Sequence, residues 1–370
     1  ADRSLDRAIH EAALARTGAD TVDGFFALAL GKHGASELNY SSDIDPILLF
    51  DPQVLASTER HSAAETAQRM ARDILRLLAD HTEEGYVFRV DLRLRPAAEV
   101  APLAVSINAA ASHYESAALA WERAAFIRAR SAAGDVERGE RFLASIRPFV
   151  WRRSVDFGAI DEIAQLRVRI REAYSGTPQL GPGFDLKRGR GGIREIEFFA
   201  QTHQLIHGGR DHTLRARGTR AALDALAATA RIRPGDARRL GEAYDGLRTI
   251  EHRLQMIGDK QTHTLPAGEA LEAVAQLHGL EKGAQLVDLV SEHARPIAER
   301  FDALLDEDRI SVPRSAPHVL SEGSAPAEVP AQLVERVTGW TDGKYPALRS
   351  SAALSAFEAI RPDLLASVAG

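Results

Sequence analysis

Cysteine is absent from this 370-residue chain, which excludes disulfide bonds and thiolate metal sites. No apolar run reaches the roughly 18 residues that suggest a membrane span, and the first residues lack the apolar core of a signal peptide. The net charge of −6 gives no reason to expect a basic face for nucleic acid. We therefore expect a globular cytoplasmic protein that binds neither membranes nor nucleic acid, long enough for two or three domains.

Strand patterns are concentrated in the first hundred residues. Residues 25–30 and 44–50 are apolar runs typical of buried strands, and the turn GKHG comes directly after the first of them. Residues 86–94 alternate strictly between apolar and polar side chains, which predicts a third strand. Its polar positions continue to the residue before Pro96 and are Arg89, Asp91, Arg93 and Arg95. Helical spacing over residues 67–78 predicts an amphipathic helix between the last two strands.

Helical spacing dominates after about residue 105. The predicted helices span 107–116, 118–131, 134–147, 158–175, 192–207, 217–231, 235–258, 268–279 and 283–308. Residues 311–330 are rich in proline, serine and alanine and predict a linker, and 331–370 predict a short helical segment. The sequence therefore predicts an α+β protein, with a small mixed α/β unit over 1–130 and a large α-helical bundle over 131–310.

Acidic residues mark the candidate site. Asp43 and Asp45 directly precede the apolar end of the second predicted strand, and strand residues two apart point to the same side. Asp91 lies on the polar side of the third predicted strand. Carboxylates that converge repel each other, and a divalent cation relieves that repulsion. Oxygen ligands suit Mg²⁺ and phosphoryl or nucleotidyl transfer; the alternative is that Asp43 and Asp45 only cap or solvate a strand start.

A series of motifs resembles, in order, the nucleotidyltransferase domains of the bacterial glutamine synthetase adenylyltransferase/adenylyl-removing enzymes. The motifs are GKHGASELNYSSDID, YVFRVDLRLRP, WERAAFIRARSAAGD, RPFVWRRSVDF, GRGGIREIEFFAQTHQLIHGG and HRLQMIGDKQTHTLP, and they cover residues 25–270. The resemblance implies a nucleotidyltransferase-like mixed β-sheet domain followed by a helical bundle. It also implies that Asp43, Asp45 and Asp91 are the catalytic residues and hold Mg²⁺.

The family carries two related catalytic halves, and this chain has the length of one. The wording ELNYSSDID, FRVDLRLRP and GGIREIEF is closer to the N-terminal half. The resemblance implies that this half removes AMP from adenylylated glutamine synthetase, with inorganic phosphate as nucleophile and ADP as product. Residues 311–370 would then lead to a missing second half. The alternatives are the half that transfers AMP from ATP, and a domain without turnover that binds nucleotide or senses the PII signal protein.

The GKHG turn is the first candidate phosphate contact. Gly31, Lys32 and Gly34 place backbone N–H groups and one ammonium beside the Asp43 strand, where glycine allows close approach. Ser42 adds a hydroxyl. The alternative is a plain turn. The chain departs from the family pattern at His33, Ala35 and Pro46.

Two arginines on the polar side of the third predicted strand are further candidates. The guanidinium groups of Arg93 and Arg95 match phosphate oxygens in geometry. One hypothesis is that they hold the attacking phosphate or the α-phosphate. The alternative is that they form ion pairs with the neighbouring aspartates.

A second glycine turn opens the predicted helix at 192–207. Gly191 and Gly192 precede it, and free amides at a helix N-terminus bind anions. Lys187 adds positive charge for the attacking phosphate, and Arg194 and Glu197 lie on the polar stripe of the helix. The alternative is an ordinary amphipathic surface helix.

Overall fold

The computed structural model describes residues 1–56, 60–153, 157–172, 174 and 176–311. They belong to one unit, residues 1–311. Apart from Ser311, the predicted linker at 311–330 and the predicted terminal helical segment at 331–370 lie outside the described residues. None of the described helices is long and apolar enough to cross a bilayer.

The sheet has four strands in the order β3-β2-β1-β4. They are β1 (Phe25–Ala29), β2 (Pro46–Phe50), β3 (Ala104–Ser106) and β4 (Arg130–Gly134). β1 pairs antiparallel with β2 and β4, whereas β2 and β3 run parallel. This mixed sheet, followed by helices, confirms the predicted α+β class and the first two predicted strands.

The predicted strand at 86–94 is wrong. Only Val90 forms a bridge, to Ile44, and the chain then turns, with the Arg95 N–H donating to the Leu92 carbonyl oxygen over 3.2 Å. The third strand of the sheet is β3 instead. With only three residues, β3 is too short to show a periodic pattern in the sequence.

The helices are α1 (Asp2–Thr17), α2 (Gly31–Gly34), α3 (Ala63–Ala79), α4 (Ile107–Ser116), α5 (Ala120–Phe126), α6 (Val136–Ser145), α7 (Arg147–Val150), α8 (Phe157–Glu172), α9 (Ile193–His207), α10 (Thr219–Ala228), α11 (Pro234–Met256), α12 (Glu269–Leu277) and α13 (Gly283–Ser311). The helices expected from the spacing are confirmed, except that the one predicted at 118–131 ends at Phe126 and β4 follows. α1 and α7 were not predicted, and α2 was predicted only as a turn.

Both faces of the sheet are covered, which explains why β1 and β2 are apolar throughout. Phe25 and Ala27 of β1 join the core formed with α1 and α3. Phe26 and Leu28 join the opposite core, to which α4, α5 and α6 contribute. The division between domains at residue 130 stays a prediction, although β4 and α6, which pack in the sheet cores, lie beyond it.

The helical part has a core of its own, built from α9 to α13. The helix predicted at 235–258 corresponds to α11, and its apolar stripe is buried; the buried members include Leu240, Leu247 and Ile250. The opposite side of α11 faces the chain between β1 and β2, so this long helix forms one wall of the candidate site.

Candidate active site

The bridge between Ile44 and Val90 aligns the two acidic segments. The Ile44 N–H donates to the Arg89 oxygen and the Asp91 N–H to the Ile44 oxygen, each over 2.9 Å. Ile44 and Val90 turn their side chains into the core beneath the sheet. Asp43, Asp45, Arg89 and Asp91 therefore lie on the other face, which is the grouping that the sequence predicted for the aspartates.

Asp45 is the aspartate for which the described residues provide no hydrogen-bond donor. Burial, followed by the negative charges of Asp91 and Asp43, raises the pKa of Asp45 to about 6, although the positive charge of Lys187 opposes this. Gly31 makes room for this side chain, because a Cβ at Gly31 would lie 2.5 Å from the Asp45 Oδ2 atom.

Asp43 and Asp91 are each paired with an arginine, and both arginines belong to the segment around Val90. Arg89 Nε donates to Asp43 Oδ1 over 2.8 Å. The Arg93 guanidinium donates to both Asp91 oxygens, and this hydrogen bonding lowers the pKa of Asp91. The alternative considered for Arg93, an ion pair with an aspartate, therefore holds in this structure.

The aspartates fit Mg²⁺ by donor chemistry, since they supply carboxylate oxygens and the partly buried Asp45 has no counter-ion among the described residues. Arg89 and Arg93 are bound to carboxylate oxygens of Asp43 and Asp91 that would otherwise be available to a metal ion. In the described residues, no group of three or more acidic or histidine side chains has the arrangement of a metal site. The magnesium site at Asp43, Asp45 and Asp91 therefore stays a prediction.

Lys32 is held by a residue that the sequence analysis did not single out. Its Nζ donates to Glu251 Oε1 and Oε2 of α11 over 3.1 and 3.0 Å. Burial lowers the pKa of Lys32 to about 8, although Glu251 opposes this. Burial raises the pKa of Glu251, but His263, Lys32 and Arg248 outweigh it and hold that pKa far below its usual range.

A polar stripe on α11 binds the segment that leads from Lys32 to the aspartates. Arg248 donates to the carbonyl oxygen of Glu37, and the Tyr244 hydroxyl donates to Glu37 Oε2 over 2.9 Å. Gln255 Oε1 accepts from the Ser41 N–H over 3.0 Å. The spacing 244, 248, 251, 255 keeps these side chains on one face of the helix. Four polar residues at helical spacing beside an apolar stripe were the signal that could have identified this face.

Lys187 reaches the site from the helical part. Its positive charge acts on Asp45, on Lys32 and on Glu197, whose pKa is lowered because Arg128, Lys32 and Lys187 outweigh burial. No carboxylate of the described residues lies within ion-pair distance of the Lys187 ammonium. Glu197 instead pairs with Arg128, whose Nη1 donates to Glu197 Oε1 over 3.1 Å.

The anion site expected at the start of α9 required free backbone N–H groups. That assumption is wrong, because these N–H groups already donate to acceptors within the protein. The N–H groups of 191–195 donate in turn to Glu195 Oε2 and to the carbonyl oxygens of Gly189, Leu186, Lys187 and Gly192. Gly191 and Gly192 are required for packing: a Cβ at Gly191 would lie 2.2 Å from the Ala294 oxygen. A role for Arg194, which is half-buried, stays a prediction.

Three further candidates serve local structure. Arg95 donates to the carbonyl oxygens of Leu92, Ala98 and Ala101, so it fixes the turn and does not share the face of Asp91. The Gly34 N–H donates to the Leu30 oxygen, and a Cβ there would lie 2.2 Å from the Arg128 oxygen. The Ser42 hydroxyl donates to the Asp43 carbonyl oxygen over 3.0 Å.

The departures from the family pattern are accommodated locally. The buried His33 places Nε2 2.7 Å from Asp2 Oδ1 of α1. Ala35 has a φ of −77°, which needs no glycine. Pro46 is the first residue of β2 and pairs with Ala29, a position where proline is tolerated.

Carboxylates beside the second strand of a small mixed sheet, opposed by a lysine from the first glycine turn and by one from the loop before α9, are the arrangement expected of a nucleotidyltransferase-type site. Residues 3–145 match the family described as glutamate-ammonia ligase adenylyltransferase, and residues 163–305 match GlnD PII-uridylyltransferase. Over more than nine tenths of its length, the chain is similar to bifunctional glutamine synthetase adenylyltransferase/adenylyl-removing enzymes.

These relatives are considerably longer than the chain. The bifunctional enzyme of Rhizobium meliloti is 41% identical over 358 residues, which are 93% of this chain and 36% of that protein. The enzyme of Caulobacter vibrioides is 41% identical over 360 residues, 94% of this chain and 36% of that protein. The enzyme of Xanthobacter autotrophicus is 48% identical over 258 residues, 69% of this chain and 26% of that protein.

Proposed function

We propose that this chain removes AMP from adenylylated glutamine synthetase by Mg²⁺-dependent phosphorolysis, giving ADP and the unmodified tyrosine. The observation that carries the proposal is the partly buried Asp45 carboxylate, which has no hydrogen-bond donor among the described residues, is flanked by Asp43 and Asp91 and is opposed by the Lys187 ammonium. An isolated buried carboxylate is costly unless a cation joins it. Unpaired groups of opposite sign beside each other suit a site that binds a cation and an anion together.

Each group has a stated task. Asp43, Asp45 and Asp91 would hold Mg²⁺, which when bound supplies positive charge beside the α-phosphate of tyrosyl-AMP. Lys187 holds the attacking phosphate, and Lys32, fixed by Glu251, adds a second positive charge behind it. The leaving tyrosine has a free pKa of about 10 and needs no strong general acid. Positioning and charge neutralisation are expected to provide most of the rate.

Burial of the site serves the same reaction. Water in place of phosphate would give AMP, not ADP, so the reaction requires water to be kept away from the α-phosphate. Asp45 lies at the junction of the sheet and the helical wall, where the buried Lys32 and Glu251 close one side. The motifs ELNYSSDID and GGIREIEF, which are closer to the N-terminal half of the family, support removal of AMP over AMP transfer from ATP.

The test is incubation of the chain with adenylylated glutamine synthetase, Mg²⁺ and labelled phosphate. Label is expected in ADP, and Asp91→Asn is expected to abolish it. Asp288→Asn, an exposed aspartate of α13 outside the site, is the matched control and should leave the rate unchanged. Release of AMP alone, or no release, contradicts phosphorolysis. Modification of unmodified glutamine synthetase by ATP would instead indicate the adenylylating activity.

A metal titration distinguishes the proposed enzyme from a domain that binds nucleotide without turnover. The enzyme is expected to bind Mg²⁺ or Mn²⁺ with a stoichiometry that Asp45→Asn lowers, and absence of metal binding would favour the inactive domain. We further propose the PII signal protein as a partner of the helical part, on the similarity of residues 163–305 to PII-uridylyltransferase, and a cytoplasmic location for the reaction.

A further inference from the structure

A cavity lies beside the end of α2. Its volume is about 550 Å³, which is within the range of about 300–1,000 Å³ for small-molecule sites. Gly34, Ala35 and Ser36 form part of its lining. β4 and α7 contribute from the sheet side, and residues 215–217 contribute from the helical part. None of the residues assigned above to binding or chemistry lines it, except Gly34.

Four arginines from three segments line this cavity, and they are Arg130, Arg147, Arg215 and Arg217. The single carboxylate in the lining is Glu140, whose Oε1 accepts from the Ser131 N–H over 3.2 Å. The lining therefore carries an excess of positive charge, although the whole chain has a net charge of −6.

Three of these arginines have no acidic partner in the described part of the chain. Arg215 donates to the Gly208 carbonyl oxygen over 2.7 Å, and Arg217 to the Ala129 carbonyl oxygen over 3.0 Å. Arg147 is exposed and bonds to no described side chain. Burial and then the charge of Arg147 lower the pKa of Arg215, so like charges approach each other without a counter-ion. Arg130 pairs with Asp2 of α1, yet its Nε is buried without an acceptor.

One wall of the cavity is apolar. Phe126, Ile146, Val150 and Trp151 line it, and the Arg215 guanidinium lies 5.2 Å from the centre of the Trp151 ring. Guanidinium groups beside aromatic and aliphatic groups suit an anion, with or without an attached flat ring. Lys32 and Gly34 belong to the same turn, so an occupant would contact the element that carries a residue of the candidate active site.

We propose that this cavity binds a phosphate group, either inorganic phosphate or the phosphate of a nucleoside monophosphate, as a site separate from the Asp45 centre. Phosphate satisfies several guanidinium groups at once through charge-assisted hydrogen bonds. The site does not depend on the reaction proposed above, because its residues are distinct from the aspartates and Lys187.

The test is calorimetric titration of the full chain with inorganic phosphate, AMP and adenosine in EDTA. The Asp45→Asn, Lys187→Ala double variant serves as background, so that binding at the active site does not contribute. Phosphate or AMP is expected to bind with one saturable site, and adenosine is expected not to bind. Tighter binding of AMP identifies the nucleotide as the source of the phosphate group, and equal binding identifies the free anion.

Variants locate the site. Arg147→Glu is expected to weaken binding at least tenfold and Arg147→Lys less than threefold, because Arg147 is exposed and its replacement leaves the core intact. Arg238→Glu, an exposed arginine of α11 outside the cavity, is the matched control and should change nothing. Loss of the binding-linked change in tryptophan fluorescence in Trp151→Phe supports the location. Absence of binding, or equal binding by Arg147→Glu, overturns the proposal.

Discussion

The two glycine turns of this protein resemble each other in sequence but differ in what lies against them. At Gly31 the atom nearest to an added methyl group would be Oδ2 of Asp45, at the end of a side chain, whereas at Gly191 it is the backbone oxygen of Ala294. Both glycines have positive φ. The first turn therefore makes space for a reactive group, and the second makes space for a packed helix.

The two turns also differ in whether the polar groups around them have hydrogen-bond partners. At the start of α9, every amide from 191 to 195 has a protein acceptor. At the first turn, Lys32 contributes an ammonium to the junction, and the adjacent Asp45 has no donor among the described residues. Glycine thus indicates close approach, and only the unsatisfied groups around it indicate a ligand.

The largest effect is expected for Asp45→Asn, which removes the group that the first turn accommodates. Activity should fall at least about 10³-fold, or about 4 kcal/mol in the barrier. Because burial raises the pKa of Asp45 to about 6, the ionised side chain opposes folding above that pH. The variant in EDTA at pH 7.5 should therefore unfold with no lower free energy than the wild type, as measured in urea. Activity within tenfold of the wild type would contradict the assignment.

Gly191→Ala should act on stability. The added methyl group meets a backbone oxygen at 2.2 Å, and φ is +78°, so α13 or the turn must shift. We expect a loss of about 3 kcal/mol in the free energy of unfolding, with the rate per folded molecule changed less than threefold. Gly235→Ala, near the start of α11 with open space around its Cβ position, is the control. A loss of activity in Gly191→Ala without a loss of stability would contradict a packing role for this turn.

Gly31→Ala should show the opposite pattern. The methyl group displaces the flexible Asp45 carboxylate from a distance of 2.5 Å, so the effect on folding is limited to about 1 kcal/mol from the positive φ. The rate should fall about 30-fold, which is about 2 kcal/mol in the barrier. Kinetics and urea unfolding of the same preparation separate the two effects. Equal losses at Gly31 and Gly191 in both measurements would remove the distinction between the turns.

The predictable parts of the fold were those with a strong local period. The strands ending at Ala29 and Phe50, and the stripe on α11, follow from apolar residues at strand or helix spacing. The strand expected at 86–94 is reduced to the single bridge at Val90, and after it Arg95 binds three carbonyl oxygens of its own loop and closes a turn. Nothing in the alternation of the polar and apolar residues reveals those bonds.

The candidate site was predictable only in part for a related reason. The grouping of Asp43, Asp45 and Asp91 depends on one bridge between neighbouring segments. Glu251 is 219 residues from Lys32 in the chain, and the pairing arises from the packing of α11 against the turn. Local patterns place a charge on a helix face, but they do not identify the charge that it meets across an interface.

The smallest expected effect concerns the charge of Lys32 itself. With a pKa of about 8, Lys32 is an ammonium below that pH and loses its charge above it. If this charge supports phosphate binding at the first turn, kcat/KM should fall about fivefold between pH 8 and pH 9, as the protonated fraction of a group with a pKa of about 8 does. Lys32→Arg stays charged and should remove that decline, whereas Lys282→Arg, an exposed lysine elsewhere, should retain it. An unchanged decline in Lys32→Arg would assign the titration to another group and leave Lys32 as a structural partner of Glu251.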